Sequence, residues 1–204
     1  MADTTLPDTT LPDATLPEVA GPDPTGHTVL VVPVPLLEPL VRGRHEHYDT
    51  DYVSSDPSFA HAHLTVLAPF VAPAELTAAT RHTVAQIAWE TRPFEGSLTR
   101  VATFPNGIVH LVPEPAEPLR ALTERFCRAF PTLLPYGGAF GSVEPHVTID
   151  ALGPDVTEDT VRAWVAPLLP SPLRVERLQL SWYAARDCRT LAAWELGPSR
   201  VSRG

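Results

Sequence analysis

Two copies of one tetrapeptide pattern carry the chemistry legible in this chain: His63-Leu64-Thr65-Val66 and His146-Val147-Thr148-Ile149, 83 residues apart. Each lies in an extended-looking segment, Ala62 to Phe70 and Pro145 to Leu152. Side chains at i and i+2 of a strand point to one face, so His63 and Thr65 look one way and Leu64 and Val66 the other. His146 and Thr148 repeat the arrangement. Imidazole titrates between a strong acid and a strong base, so two such rings can supply a proton acceptor and a proton donor near neutral pH. Two hydroxyls beside them can donate to phosphate oxygens as charge develops there. This set needs no metal or cofactor.

Both motifs must be held by a folded frame, and 204 residues suffice for a proper core. Thr28 to Pro35 reads as an opening strand that runs into Leu36 to Leu40. Ala74 to Trp89 has helical apolar spacing, as does Pro118 to Phe130. Glu95 to Thr103 and Ile108 to Pro113 read as a hairpin about Pro105-Asn106-Gly107. A helix from Thr157 to Leu168 starts on a capping pattern. Leu173 to Tyr183 and Thr190 to Leu196 close the chain as an antiparallel pair. Pattern alone supports an α+β fold.

Residues 1–26 are different in kind. Thr-Thr-Leu-Pro-Asp stands twice in succession, at 4–8 and 9–13, with a close variant following. Proline every fifth residue removes ladder and helix donors, so a disordered tail is expected there, then a domain over 27–197 and a short tail at 198–204. Five of the 24 acidic residues fall in that first tail, which holds no arginine. The remainder is closer to balance against 15 basic residues, all arginine. That distribution argues against a track for duplex DNA but suits a small phosphate ligand, because arginine can grip phosphate bidentately. No signal peptide or membrane-length apolar run is present, so a cytoplasmic protein with no membrane partner is expected. Cys127 and Cys188 lack metal-type spacing and read as free thiols. A monomer is the default expectation.

The paired motifs, the opening strand and helix, Phe104 to Leu111 and the Pro135-Tyr136-Gly137-Gly138 turn together resemble the 2H phosphoesterase superfamily over roughly 27–197. That superfamily includes the 2′-5′ RNA ligase-like proteins and cyclic phosphodiesterases. The resemblance implies two pseudo-symmetric lobes with antiparallel sheets flanked by helices, and a central groove carrying one His-x-Thr motif from each lobe. It implies His63, Thr65, His146 and Thr148 as the catalytic set, with His146 assigned as base and His63 as acid. The substrate implied is a small nucleotide or an RNA terminus bearing a cyclic phosphate. Phe70, Phe104 and Tyr136 near the groove rims are expected to contact substrate, and His61, two residues before His63, to line the groove. The charged segment Arg42 to His47 reads as a solvated loop. One departure stands out: where some relatives carry a basic residue after the second motif, this chain has Asp150, which simple alternation places on the His146 face.

Two other readings fit the same residues. His61, His63 and His146 could supply three nitrogens to a metal-dependent hydrolase, His-x-His in a strand being a usable ligand spacing. Alternatively the pocket binds nucleotide without turnover, because a motif does not guarantee reaction.

Overall fold

The computed structural model describes residues 26–138 and 143–197, so the terminal segment carrying the Thr-Thr-Leu-Pro-Asp repeats and the expected tail at 198–204 lie outside the described residues. Eight strands form one antiparallel sheet: β1 (His27–Pro33), β2 (His63–Leu67), β3 (Phe94–Thr103), β4 (Ile108–Glu114), β5 (Val147–Ala151), β6 (Ser171–Val175), β7 (Arg177–Tyr183) and β8 (Arg189–Glu195). Four helices accompany them: α1 (Glu38–Tyr48), α2 (Ala78–Glu90), α3 (Glu117–Ala129) and α4 (Glu158–Val165). The expected α+β class and strand–helix alternation hold.

The spatial order is β6-β3-β4-β5-β2-β1-β7-β8, and β5 meets β2 through one residue pair, Leu64 opposite Val147. That pair divides the sheet into two four-stranded halves, β8-β7-β1-β2 and β5-β4-β3-β6. Chain order repeats as well: β1-α1-β2-α2 is followed, after β3, by β4-α3-β5-α4. A motif strand therefore forms the inner edge of each half, and the two inner edges face each other. Helix α3 lies on β2 and α1 on β5, so each helix braces the motif strand of the opposite half.

The sheet's covered face supplies one continuous apolar core, with Leu30, Leu64, Leu98, Leu111, Ile149, Leu178 and Leu180 all fully buried. The Val29-Leu30-Val31-Val32 run of β1 is apolar on both faces, and six of the seven residues of this strand are buried; a central strand covered on both sides has this composition. The β3–β4 turn closes through the Gly107 amide on the Phe104 carbonyl at 2.8 Å, with Gly107 at φ +86°, a conformation that suits glycine. Helix α4 begins at a capping box formed by Thr157 and Thr160.

Three local expectations change. The run Leu173 to Tyr183 is two strands, not one: the chain crosses from one half to the other at Glu176, with β6 on β3 and β7 on β1. Buried Leu173, Val175, Leu178 and Leu180 recur on either side of the break, which makes the run look like one strand although the exposed pair Glu176-Arg177 interrupts the alternation. Arg42 to His47 is helical, not loop, because Leu37 and Val41 anchor α1 to the core at a four-residue spacing, with Arg42 and Glu46 outward and Arg44 turned in towards Asp150.

The third change concerns Asp150. In each motif strand the residue after the threonine faces no partner: Val31 pairs with Thr65 and Leu30 with Leu67, while His110 pairs with Thr148 and Val109 with Asp150. Val66 and Ile149 are thus the extra residues of two equivalent β-bulges, and a bulge reverses the alternation beyond it. Leu67 and Asp150 turn to the core face. Asp150 takes a place that a leucine holds in the other half.

Candidate active site

His63 opens β2 and His146 immediately precedes β5. Antiparallel register with Leu64 opposite Val147 sets His63 across from Thr148 and Thr65 across from His146. Each histidine therefore stands beside the threonine of the other motif, and all four side chains are half-buried.

Both rings are oriented alike. His63 Nδ1 donates to the carbonyl of His61 at 2.9 Å, and His146 Nδ1 donates to the carbonyl of Glu144 at 2.8 Å. A carbonyl can only accept, so Nδ1 carries the proton in each ring and Nε2 is left with its lone pair in the neutral form. The residue two positions back thus sets the tautomer in both halves.

Aromatic rings frame each histidine. The Tyr183 hydroxyl lies 3.3 Å from His63 Nδ1, and Phe59 packs edge-on against the Tyr183 ring. Beside His146, Phe104 makes an edge contact at 4.8 Å and stacks on His110 at 3.9 Å. Burial of His63 holds its pKa down at about 4, opposed by the carbonyls of His61 and Ala60 and reinforced by the fields of His45 and His146. Burial also lowers His146, opposed by the Glu144 carbonyl, and lowers His110. An anion in the groove would reverse these trends by favouring the protonated rings.

The remaining expected contacts divide. Tyr136 reaches the site: its hydroxyl hydrogen-bonds the Thr65 side chain, and its backbone amide bonds the Ala68 carbonyl. Phe104 reaches it through His146. Phe70 does not; β2 ends three residues before it, and its ring is 5% exposed, edge-on against Phe130 in the core. His61 does not line the groove either, because it precedes β2 and strand alternation does not extend to it. Its ring is buried, with Nδ1 donating to Glu38 Oε1 at 2.6 Å and Nε2 accepting the Ser54 amide at 3.1 Å. With both nitrogens engaged, His61 has no lone pair for a metal, so the three-histidine ligand set is not assembled. Among the described residues no group of three or more His, Cys, Asp and Glu could hold a metal ion.

Asp150, below the motif, pairs with Arg44 Nε of α1 at 2.5 Å, and the guanidinium lies over the Trp164 ring of α4 at 4.2 Å. The Tyr48 hydroxyl nearby is pushed up to about 12 by burial and by the Asp150 charge. Two site neighbours escape a reading by motif. His110 is brought in by pairing with Thr148, and Glu38 by a contact 23 residues along the chain.

A two-lobed antiparallel sheet presenting a His-x-Thr strand from each half defines a 2H phosphoesterase-like protein. The family model described as the 2′-5′ RNA ligase superfamily matches residues 33–187, and the chain belongs to that superfamily. No curated protein matches it. Solved structures share the fold at low identity. The apo form of E. coli LigT is 19% identical, with 85% of this chain and 98% of that chain covered and a TM-score of 0.50. TT0787 of Thermus thermophilus is also 19% identical, with coverage of 84% and 98% and a TM-score of 0.50. E. coli LigT complexed with 3′-AMP gives 19% identity, coverage of 86% and 100%, and a TM-score of 0.49. Among the described residues no helix is long and apolar enough to cross a membrane.

Proposed function

We propose that this protein is a metal-independent phosphodiesterase that hydrolyses a 2′,3′-cyclic phosphate on a small nucleotide or an RNA terminus. The observation that carries the reading is the matched orientation of His63 and His146, each pinned through Nδ1 with Nε2 unspent and a threonine hydroxyl alongside. One Nε2 takes a proton from the water that attacks phosphorus. The P–O bond to one ribose oxygen breaks, and the other Nε2–H protonates that oxygen, leaving a phosphomonoester. Thr65 and Thr148 donate to the non-bridging oxygens. Tyr136 steadies Thr65, and Phe104 offers a ring beside His146 on which a base can stack.

The environments support a division of labour opposite to the one assigned from sequence. Burial lowers both rings, His63 to about 4, so in the free site His63 stands neutral with Nε2 open to accept a proton, as a base must. Hydrolysis of the four nucleoside 2′,3′-cyclic monophosphates in excess chelator tests the function. Turnover by the wild type, lost in His63→Ala and in His146→Ala, is expected. Turnover that requires added metal, or that survives either substitution, refutes it. Tight binding of a nucleoside 2′-phosphate without turnover would instead support a binding module.

A further inference from the structure

The two motif histidines lean on the same backbone feature, yet the peptides that receive them differ in one atom. His63 Nδ1 donates to the carbonyl of the His61–Ala62 peptide. The amide of that same peptide, Ala62 N–H, donates to Glu38 Oε2 at 2.9 Å. Glu38 opens α1, and its other oxygen receives the buried His61 ring. A chain therefore runs from carboxylate to amide N–H, through the peptide to its carbonyl, and on to the imidazole N–H. Hydrogen bonds in series polarise one another, so a carboxylate on the amide makes the carbonyl a stronger acceptor. In the other half His146 Nδ1 donates to the Glu144–Pro145 peptide, whose nitrogen belongs to proline and has no hydrogen to give. No such chain can form there.

We infer that Glu38 is a positioning residue for His63: through the His61–Ala62 peptide it locks the Nδ1–H tautomer and stabilises the imidazolium that forms when Nε2 takes a proton. The inference rests on the proposed hydrolysis and deepens it, by giving one histidine a remote carboxylate that its pseudo-symmetric twin lacks. Glu38 itself is held in its charged form by hydrogen bonds from His61 and Ala62, against the opposing effect of burial. The other titratable groups that reach His63 are His45 of α1, Tyr183 of β7 and His146 across the seam. Among these groups Glu38 alone bonds the amide of the peptide that receives His63.

Glu38→Gln keeps the shape but sets an amide NH₂ against one of two N–H donors. The expected result is a fall in kcat of about 10- to 100-fold, the scale seen when a group orienting an active-site ligand is lost, with KM changed by less than about twofold. The acid limb of kcat/KM moves to lower pH, and Glu38→Asp, which keeps a carboxylate, recovers most of both. An unchanged kcat and limb, or a loss confined to KM, overturns the inference. Nitrogen-15 NMR of the imidazoles gives a readout independent of turnover. In the wild type the His63 Nδ1 proton should exchange with solvent more slowly than that of His146; equal exchange overturns the inference even if Glu38→Gln fails to fold. A wild type that hydrolyses no cyclic phosphate refutes the function, and the NMR comparison still decides the role of Glu38.

Discussion

The two halves present the same His-x-Thr strand with the same bulge, yet they support it differently. In the first half the residue after the bulge is Leu67, fully buried in the core. In the second it is Asp150, whose charge is met by Arg44 from α1, the guanidinium itself lying over the Trp164 ring. The first half's histidine leans on a peptide whose amide reaches a carboxylate; the second half's leans on a prolyl peptide. Chain symmetry thus delivers two matching histidines, and the surroundings make them unequal. The proposed reaction, with a proton acceptor on one side of phosphorus and a donor on the other, would use that inequality.

The most severe way to break the comparison is to remove either ring. His63→Ala and His146→Ala should each lower kcat by about 10²–10⁴-fold, the usual contribution of one proton-transfer partner. Comparable losses in steady-state assays show both halves at work; a loss in one alone would make the other half scaffolding. Next comes the buried charge. Asp150→Ala leaves Arg44 unpaired and should destabilise the fold by about 3–5 kcal/mol in urea titration. Asp150→Leu with Arg44→Leu, copying the first half, should recover most of that; no recovery would mean the halves are not interchangeable at this position.

Thr65→Val and Thr148→Val remove one donor each and should cost about 10²-fold in kcat. A larger effect at Thr65 would mark Tyr136 as its support. The smallest effect is in stability against pH. His63 titrates at about 4 in the folded protein and near 6.5 when unfolded. The unfolded chain therefore binds more protons between these values, and stability falls as pH drops through that window. His63→Gln should flatten the slope of stability between pH 6.5 and 4; an unaltered slope would place the titration elsewhere.

The parts of this architecture legible in sequence are those with local causes. Alternation places the motif strands, Pro105-Asn106-Gly107 places the hairpin, and Thr157 with Thr160 places the start of α4. The threonines and histidines are legible because their spacing is itself the signal. Alternation misplaces Asp150 because one unpaired residue, Ile149, inverts it, and a bulge leaves no mark in composition. Phe70 and His61 are misplaced when strand geometry is extended past the ends of β2, at Leu67 and His63. The break at Glu176 lies within a run of strand-like alternation whose two parts answer to different neighbours. Glu38 has no legible signal at all, since its partners are fixed only when α1 folds back over residues 61 and 62.

The crossing at Glu176 also sets the order of events during synthesis. β1 is the first of the strands to leave the ribosome, but its neighbour β7 emerges only after β2 to β6. Until then one edge of a strand rich in valine and leucine has no ladder partner, and such an edge invites pairing with other chains. The first half cannot be completed in advance, because the chain builds the second half before it returns to add the last two strands of the first. A nascent chain halted before residue 177 would carry both histidines and both threonines and still lack the strands that close its first half.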